Sequence, residues 1–157
     1  MLTTKQQEIL IGGLNQSRIS QRKGGGGKML SYLEAWDVKA HLIRVFGFGG
    51  FSADVTSAEL MFEAEAGNNW NVGYKVILRL TIPALGATYT EAAVGSASLP
   101  QRGEAHDMAV KTAESDALKR AAINLGDQFG LSLYNNGSLQ PVVKATLIAP
   151  EVVTPNE

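Results

Sequence analysis

The sequence predicts an α+β fold in which an antiparallel three-stranded β-meander packs on a long helix, preceded by N-terminal helices. Two observations carry that prediction. Val72, Tyr74, Val76, Leu78, Leu80 and Ile82 alternate with Gly73, Lys75, Ile77, Arg79 and Thr81, the period-two pattern of a half-buried strand. Leu118, Ala121, Ala122, Leu125 and Phe129 instead form one apolar stripe at about 3.6 residues per turn, the period of a helix. At 157 residues, 45% hydrophobic and 18% charged, the chain has the size of one globular domain that buries roughly two-thirds of its unfolded surface.

Taken in order, the segment from Thr3 to Leu14 carries Ile9, Leu10 and Leu14 at helical spacing, with Thr4 as a cap and a stop near Gly12-Gly13. Gln21-Arg22-Lys23 and the four glycines Gly24 to Gly27 read as a mobile or ligand-ordered loop. A second helix is expected over Leu33 to Phe46, closed by Gly47, Gly49 and Gly50. Three strands follow, Phe51 to Glu65, Trp70 to Ile82 and Thr88 to Gly95, joined by hairpin-length turns at Gly67-Asn68-Asn69 and Pro83 to Gly86. The long helix runs from Glu104 to Phe129 and ends at Gly126 and Gly130. Residues 1–136 are thus the folded domain. Residues 137–157, with Pro141, Pro150 and Pro155 and no sustained period, are expected to be poorly ordered or to bind a partner.

Composition excludes several classes of chemistry. With no cysteine there is no disulfide, no thiol nucleophile and no cysteine-ligated metal. No uncharged apolar run reaches the roughly 18 residues that cross a bilayer, and Lys5 and Glu8 interrupt the N-terminus where a signal peptide needs its apolar stretch. The expected location is the cytoplasm. Fourteen basic against fifteen acidic residues give a net charge of −1, which on its own predicts no polyanion binding. The distribution differs from the sum. Arg18, Arg22, Lys23 and Lys28 fall close together, and no acid occurs from Ile9 to Leu33.

The glycine run before Lys28 lacks the earlier glycine of a phosphate-binding P-loop, where Arg22 stands, and the Ser or Thr after the lysine, where Met29 stands. A nucleoside triphosphate site is therefore rejected. Flexible backbone N–H groups between Arg22, Lys23 and Lys28 suit the phosphates of a polymer, while the same segment also fits a solvated linker. His41 and His106 are the candidate metal ligands or bases, and the sequence gives them no ligand spacing; Glu104 and Asp107 beside His106 also fit a helix N-terminus. On the long helix, Thr112, Asp116, Lys119, Arg120, Ile123 and Asp127 are expected on the face away from the Leu118 stripe, with Asp116 pairing Arg120 and Ile123 exposed under a subunit or ligand.

The run from Arg22 to Glu34, with its glycine loop and Tyr32-Leu33-Glu34, the corner Phe46-Gly47-Phe48-Gly49-Gly50, and Ser115-Asp116-Ala117-Leu118-Lys119-Arg120-Ala121 before Leu125-Gly126 resemble the Rad52 family of single-strand annealing proteins. The likeness runs from about Ile19 to Leu133, in the same order, and the chain looks like a minimal version of the kind typical of phages and bacteria. It implies a βββα core that assembles into a ring or helical homo-multimer and holds single-stranded DNA in a basic groove, with no ATP, metal or other cofactor and no catalytic residue. By the same resemblance Arg22 and Tyr32 match DNA-contacting positions around the loop, and Lys111, Lys119 and Arg120 match basic positions of the long helix. Lys23 and Lys28 join them on local charge, and Ile123 stands where the family often has a base. The implied role is annealing of complementary strands in recombination and repair, within a bacterial host cell or nucleoid, with a single-strand-binding protein or an exonuclease as a further candidate partner. Two other readings stay open on residues alone: a structural or regulatory module that binds a protein, and a phosphodiesterase built on Glu104, His106 and Asp107.

Overall fold

The computed structural model describes residues 1–148 and the backbone of Val152–Val153. The chain forms two compact units, residues 1–51, 81–87 and 122–157 in the first and residues 52–80 and 88–121 in the second.

In the first unit, β1 (Leu2–Thr3) leads directly into helix α1 (Thr4–Ile11). Thr3, one residue before the expected cap, performs the capping: its hydroxyl accepts from the Gln6 N–H at 3.1 Å, and the Gln6 side chain accepts from the Thr3 N–H at 2.9 Å. Two strands follow, the first of them over Gln21-Arg22-Lys23, where a loop is expected. β2 (Ser20–Lys23) and β3 (Met29–Tyr32) pair antiparallel, Arg22 opposite Leu30 and Lys23 opposite Met29. Cross-strand pairing stabilises Gln21-Arg22-Lys23 as a strand that its own composition does not favour, and the glycine run becomes the hairpin turn. The turn depends on glycine at Gly26 and Gly27, whose φ values of 73° and 77° strain any other residue.

Helix α2 (Ala35–Phe46) starts two residues later than the periodicity suggests and buries Val38, Leu42 and Val45, along with Asp37 and His41. Residues 122–157 return to this unit as short 3₁₀ turns at Ile123–Leu125, Asp127–Phe129 and Leu131–Tyr134. The α-helix gives way to these turns after Ala122, and Gly126 and Gly130, with φ near 97° and 96°, end two of them, so the apolar stripe continues through Leu125 and Phe129 on 3₁₀ and not α-helical backbone. The same break overturns the expected outer-face position of two residues: Asp127 is buried at 1% exposure, and Ile123 is half-buried. Farther on, the Val143 N–H donates to Asp127 Oδ2 at 2.9 Å, and β7 (Val152–Val153) pairs parallel with β1, Leu2 opposite Val152. The rest of the expected extension, residues 149–151 and 154–157, lies outside the described residues.

The second unit holds most of the meander, β4 (Ser52–Ala66), β5 (Asn69–Ile82) and β6 (Ala87–Leu99), in the sheet order β4-β5-β6, together with α3 (Arg102–Ala122) up to Ala121. This is the antiparallel sheet on a long helix that the sequence predicts. Val72 of β5 packs on Ala105 and Ala109 of α3, with Trp70, Tyr74, Ala97 and Leu99 around them. Strand β6 runs four residues beyond its expected end because Gly95 marks a close approach, not a terminus: a Cβ there would lie 2.3 Å from the Ala113 nitrogen of α3. No helix among the described residues is long and apolar enough to cross a membrane.

Candidate nucleic-acid interface

The β2–β3 hairpin presents Arg22, Lys23 and Lys28, all exposed. The Arg22 guanidinium sits 5.2 Å from the centre of the Tyr32 ring, a cation–π contact that holds the side chain without neutralising it. The Tyr32 hydroxyl donates to Glu34 Oε1 at 3.0 Å, and that hydrogen bond is the main reason its pKa is raised, so the phenol stays protonated. Among the described residues, Arg22, Lys23 and Lys28 enter no ion pair. Lys23 and Lys28 flank a turn closed by the Gly24 N–H on the Lys28 carbonyl at 2.7 Å.

The cations of α3 are held differently. Lys111 meets Asp107 at 2.6 Å, Lys119 meets Asp116 at 3.3 Å and Arg120 meets Glu91 of β6 at 3.8 Å. The expected Asp116–Arg120 pair is replaced by Asp116–Lys119, one residue nearer on the helix face, while Arg120 reaches across to the sheet. Lys75, Arg79 and Arg102 are likewise matched by Glu59, Asp54 and Glu63.

These loop, corner and helix positions lie inside a match that spans nearly the whole chain: residues 3–150 fit the description "Rad52/22 family double-strand break repair protein". The chain belongs to that family. It is similar to the DNA repair and recombination proteins rti1 and rad22 of Schizosaccharomyces pombe, with 32% and 33% identity over 89% and 88% of this chain. It is also 31% identical, over 88% of its length, to the DNA repair and recombination protein RAD52 of Saccharomyces cerevisiae. It spans 38%, 30% and 29% of these three relatives' own lengths.

Two polar clusters of this Rad52/22 family chain escape a reading of the sequence alone. Arg18, counted above with the basic stripe, turns inward. Its guanidinium donates to Asp37 Oδ2 at 2.8 Å and to the Gln128 carbonyl at 2.8 Å, with side chains only 11% and 4% exposed for the Arg18–Asp37 pair. Beside it His41 is engaged at both nitrogens, by Gln128 Oε1 at 2.8 Å and Arg44 at 2.9 Å. Burial above all, then the Arg18 charge, pushes its pKa down to about 4. The sequence carries a signal for this: Asp37 lies on the stripe of Val38, Leu42 and Val45, where a carboxylate requires a cation.

The second cluster corrects the grouping of His106 with Glu104 and Asp107. His106 Nδ1 lies 2.7 Å from the Tyr74 hydroxyl and Nε2 contacts Glu63, while Asp107 belongs to Lys111. Glu63 also accepts from Arg102 at 2.8 Å, and that hydrogen bond first, then the one from His106, lowers its pKa. Arg102 in turn lies 4.9 Å from the centre of the Trp70 ring. The cluster ties β4 and β5 to the first turns of α3, and no group of metal-ligating side chains occurs among the described residues.

Proposed function

We propose that the chain binds single-stranded DNA through Arg22, Lys23, Lys28 and Tyr32 of the hairpin and Lys111, Lys119 and Arg120 of α3, and anneals complementary strands in recombination and repair as a homo-multimer. The observation that carries this reading is the hairpin itself. Three exposed cations without carboxylate partners among the described residues, one of them braced on an aromatic ring, form a ready counterion for phosphate. Family membership and the names of the relatives, all DNA repair and recombination proteins, support the same role.

The chemistry asked of the protein is modest. Pairing is downhill, with stacking worth about 1.4 kcal/mol per step, so neither ATP nor a catalytic group is needed. The backbone contacts lower the repulsion between two polyanions and leave base edges available to a second strand. A multimer repeats each basic cluster, which lets a chain of net charge −1 carry a charged track.

The test is annealing of complementary oligonucleotides without nucleotide or metal, followed over a salt series. The expected result is acceleration over the spontaneous rate and an affinity that falls linearly on a log–log salt plot. Absence of strand binding at low salt would overturn the proposal.

A further inference from the structure

The hairpin has two faces, and the Arg22–Tyr32 contact uses one of them. Directly opposed residues of an antiparallel pair share a face, and neighbours along a strand alternate. Arg22 opposes Leu30 and Ser20 opposes Tyr32, so Arg22 and Tyr32 point the same way, as their stacking requires. Gln21 opposes Ser31 on the reverse face. There a cleft of about 570 Å³ opens, lined by Gln16, Ile19, Gln21, Ser31, Gly137 and Leu139.

The lining is chemically selective. Among the described residues it contains no charged side chain, although the adjoining hairpin is basic, so these residues have nothing with which to neutralise a phosphate. The carboxamides of Gln16 and Gln21 and the hydroxyl of Ser31 offer both donors and acceptors, and Gln21 Nε2 lies 3.5 Å from Ser31 Oγ, which places two of these groups side by side. Ile19 and Leu139 add aliphatic surface. An uncharged planar ligand with hydrogen-bonding edges and apolar faces satisfies both features, and a nucleobase is such a ligand. The volume lies within the range of small-molecule sites.

We infer that this cleft is a nucleobase subsite, taking one unstacked base of a strand whose phosphates lie on the cations of the same hairpin. The inference rests on the strand-binding reading above and deepens it. A base drawn into the cleft fixes the strand's register on the subunit, while its neighbours stay outside and available for pairing.

The experiment compares oligo(dT) with an abasic oligonucleotide of equal length and charge, by fluorescence anisotropy, at several salt concentrations. The parent chain is expected to bind the base-bearing strand about tenfold more tightly, the effect of one well-held base. In the double variant Gln21→Ala/Leu139→Ala that ratio falls to about one, while the salt slope, set by phosphate contacts, is unchanged. Both side chains are exposed at the cleft wall, so the fold tolerates the change; Ser31→Ala, which removes one hydroxyl, gives an intermediate ratio as a second measure. A parent chain indifferent to bases, or a double variant that keeps the parent's ratio, overturns the subsite and leaves strand binding standing. Loss of binding to both strands in the parent overturns the strand-binding reading and the subsite with it.

Discussion

The β2–β3 hairpin and helix α3 carry the cations that the sequence singles out, and they hold them in opposite states. On the hairpin, Arg22, Lys23 and Lys28 face solvent with no acid partner among the described residues; on α3, Lys111, Lys119 and Arg120 each sit against a carboxylate. The cause is local sequence. No acid occurs from Ile9 to Leu33, whereas α3 carries Asp107 and Asp116 four and three residues before Lys111 and Lys119, on one helix face, and β6 supplies Glu91 to Arg120. A polyanion therefore meets an open positive field at the hairpin and must displace carboxylates at the helix. Net charge conceals this difference, because it sums the two regions.

The largest expected effect comes from the one member of the basic stripe that breaks the hairpin's rule. Arg18 is buried against Asp37, so Arg18→Ala leaves a carboxylate inside the first unit with Arg44 at 4.0 Å as its remaining cation. A loss of about 3 kcal/mol is expected, read as a fall in the urea midpoint. Lys23→Ala, at an exposed position of the same stripe, should leave the midpoint where it is. Equal midpoints for the two variants would erase the distinction between anchoring and exposed cations.

Acid sharpens the same contrast with a smaller effect. His41 is held neutral, its pKa near 4 against 6.5 when unfolded. The unfolded chain therefore binds the extra proton first, and this contribution to stability is complete above pH 6.5, declines as pH falls toward 4 and levels off below. Glu63, with its pKa lowered by Arg102 and His106, adds a loss only further into acid, below its ordinary carboxylate range. Urea midpoints measured across this range should slope less in His41→Gln than in the parent, and an unchanged slope would remove His41 as the cause.

Strand binding tests the comparison directly. Arg22→Ala removes an unopposed charge and should weaken single-strand affinity about tenfold at low salt, with a salt slope reduced by about one. Arg120→Ala removes a charge already offset by Glu91, and its effect should be no more than about twofold. Equal losses would mean that the existing ion pairs do not govern which cations reach the strand.

How much of this was legible in the sequence follows a physical line. Periodicity exposes whatever one face of one element decides: the alternation of β5 and the Leu118 stripe of α3 both place buried side chains where the structure has them. It does not expose what two distant segments decide together. Gln21-Arg22-Lys23 becomes a strand only because Met29–Tyr32 lies beside it, and Gly95 is a contact point whose meaning depends on Ala109 and Ala113. The candidate site divides the same way. The cation cluster stands out in one segment of sequence, whereas the inward turn of Arg18 depends on Asp37, 19 residues away. The partner of Arg120 could not be read from the helix at all, since Glu91 comes from a strand.

That last pair supports the smallest and most specific prediction. Glu91→Gln keeps the shape of the side chain and removes its charge, so Arg120, 56% exposed on its side chain, no longer has a competing carboxylate. If α3 touches the strand, affinity should rise about twofold at low salt, the scale of one exposed ion pair, and the gain should fade as salt screens both states. The change in overall charge needs its own control, which Glu8→Gln supplies: Glu8 is exposed on α1 in the other unit, with no ion pair among the described residues, and its neutralisation alters net charge by the same amount. A rise specific to Glu91→Gln and absent when Arg120→Ala is added assigns the effect to that cation. Identical behaviour of the Glu91 and Glu8 variants would instead confine strand contact to the hairpin, making the ion pairs of α3 part of the fold alone.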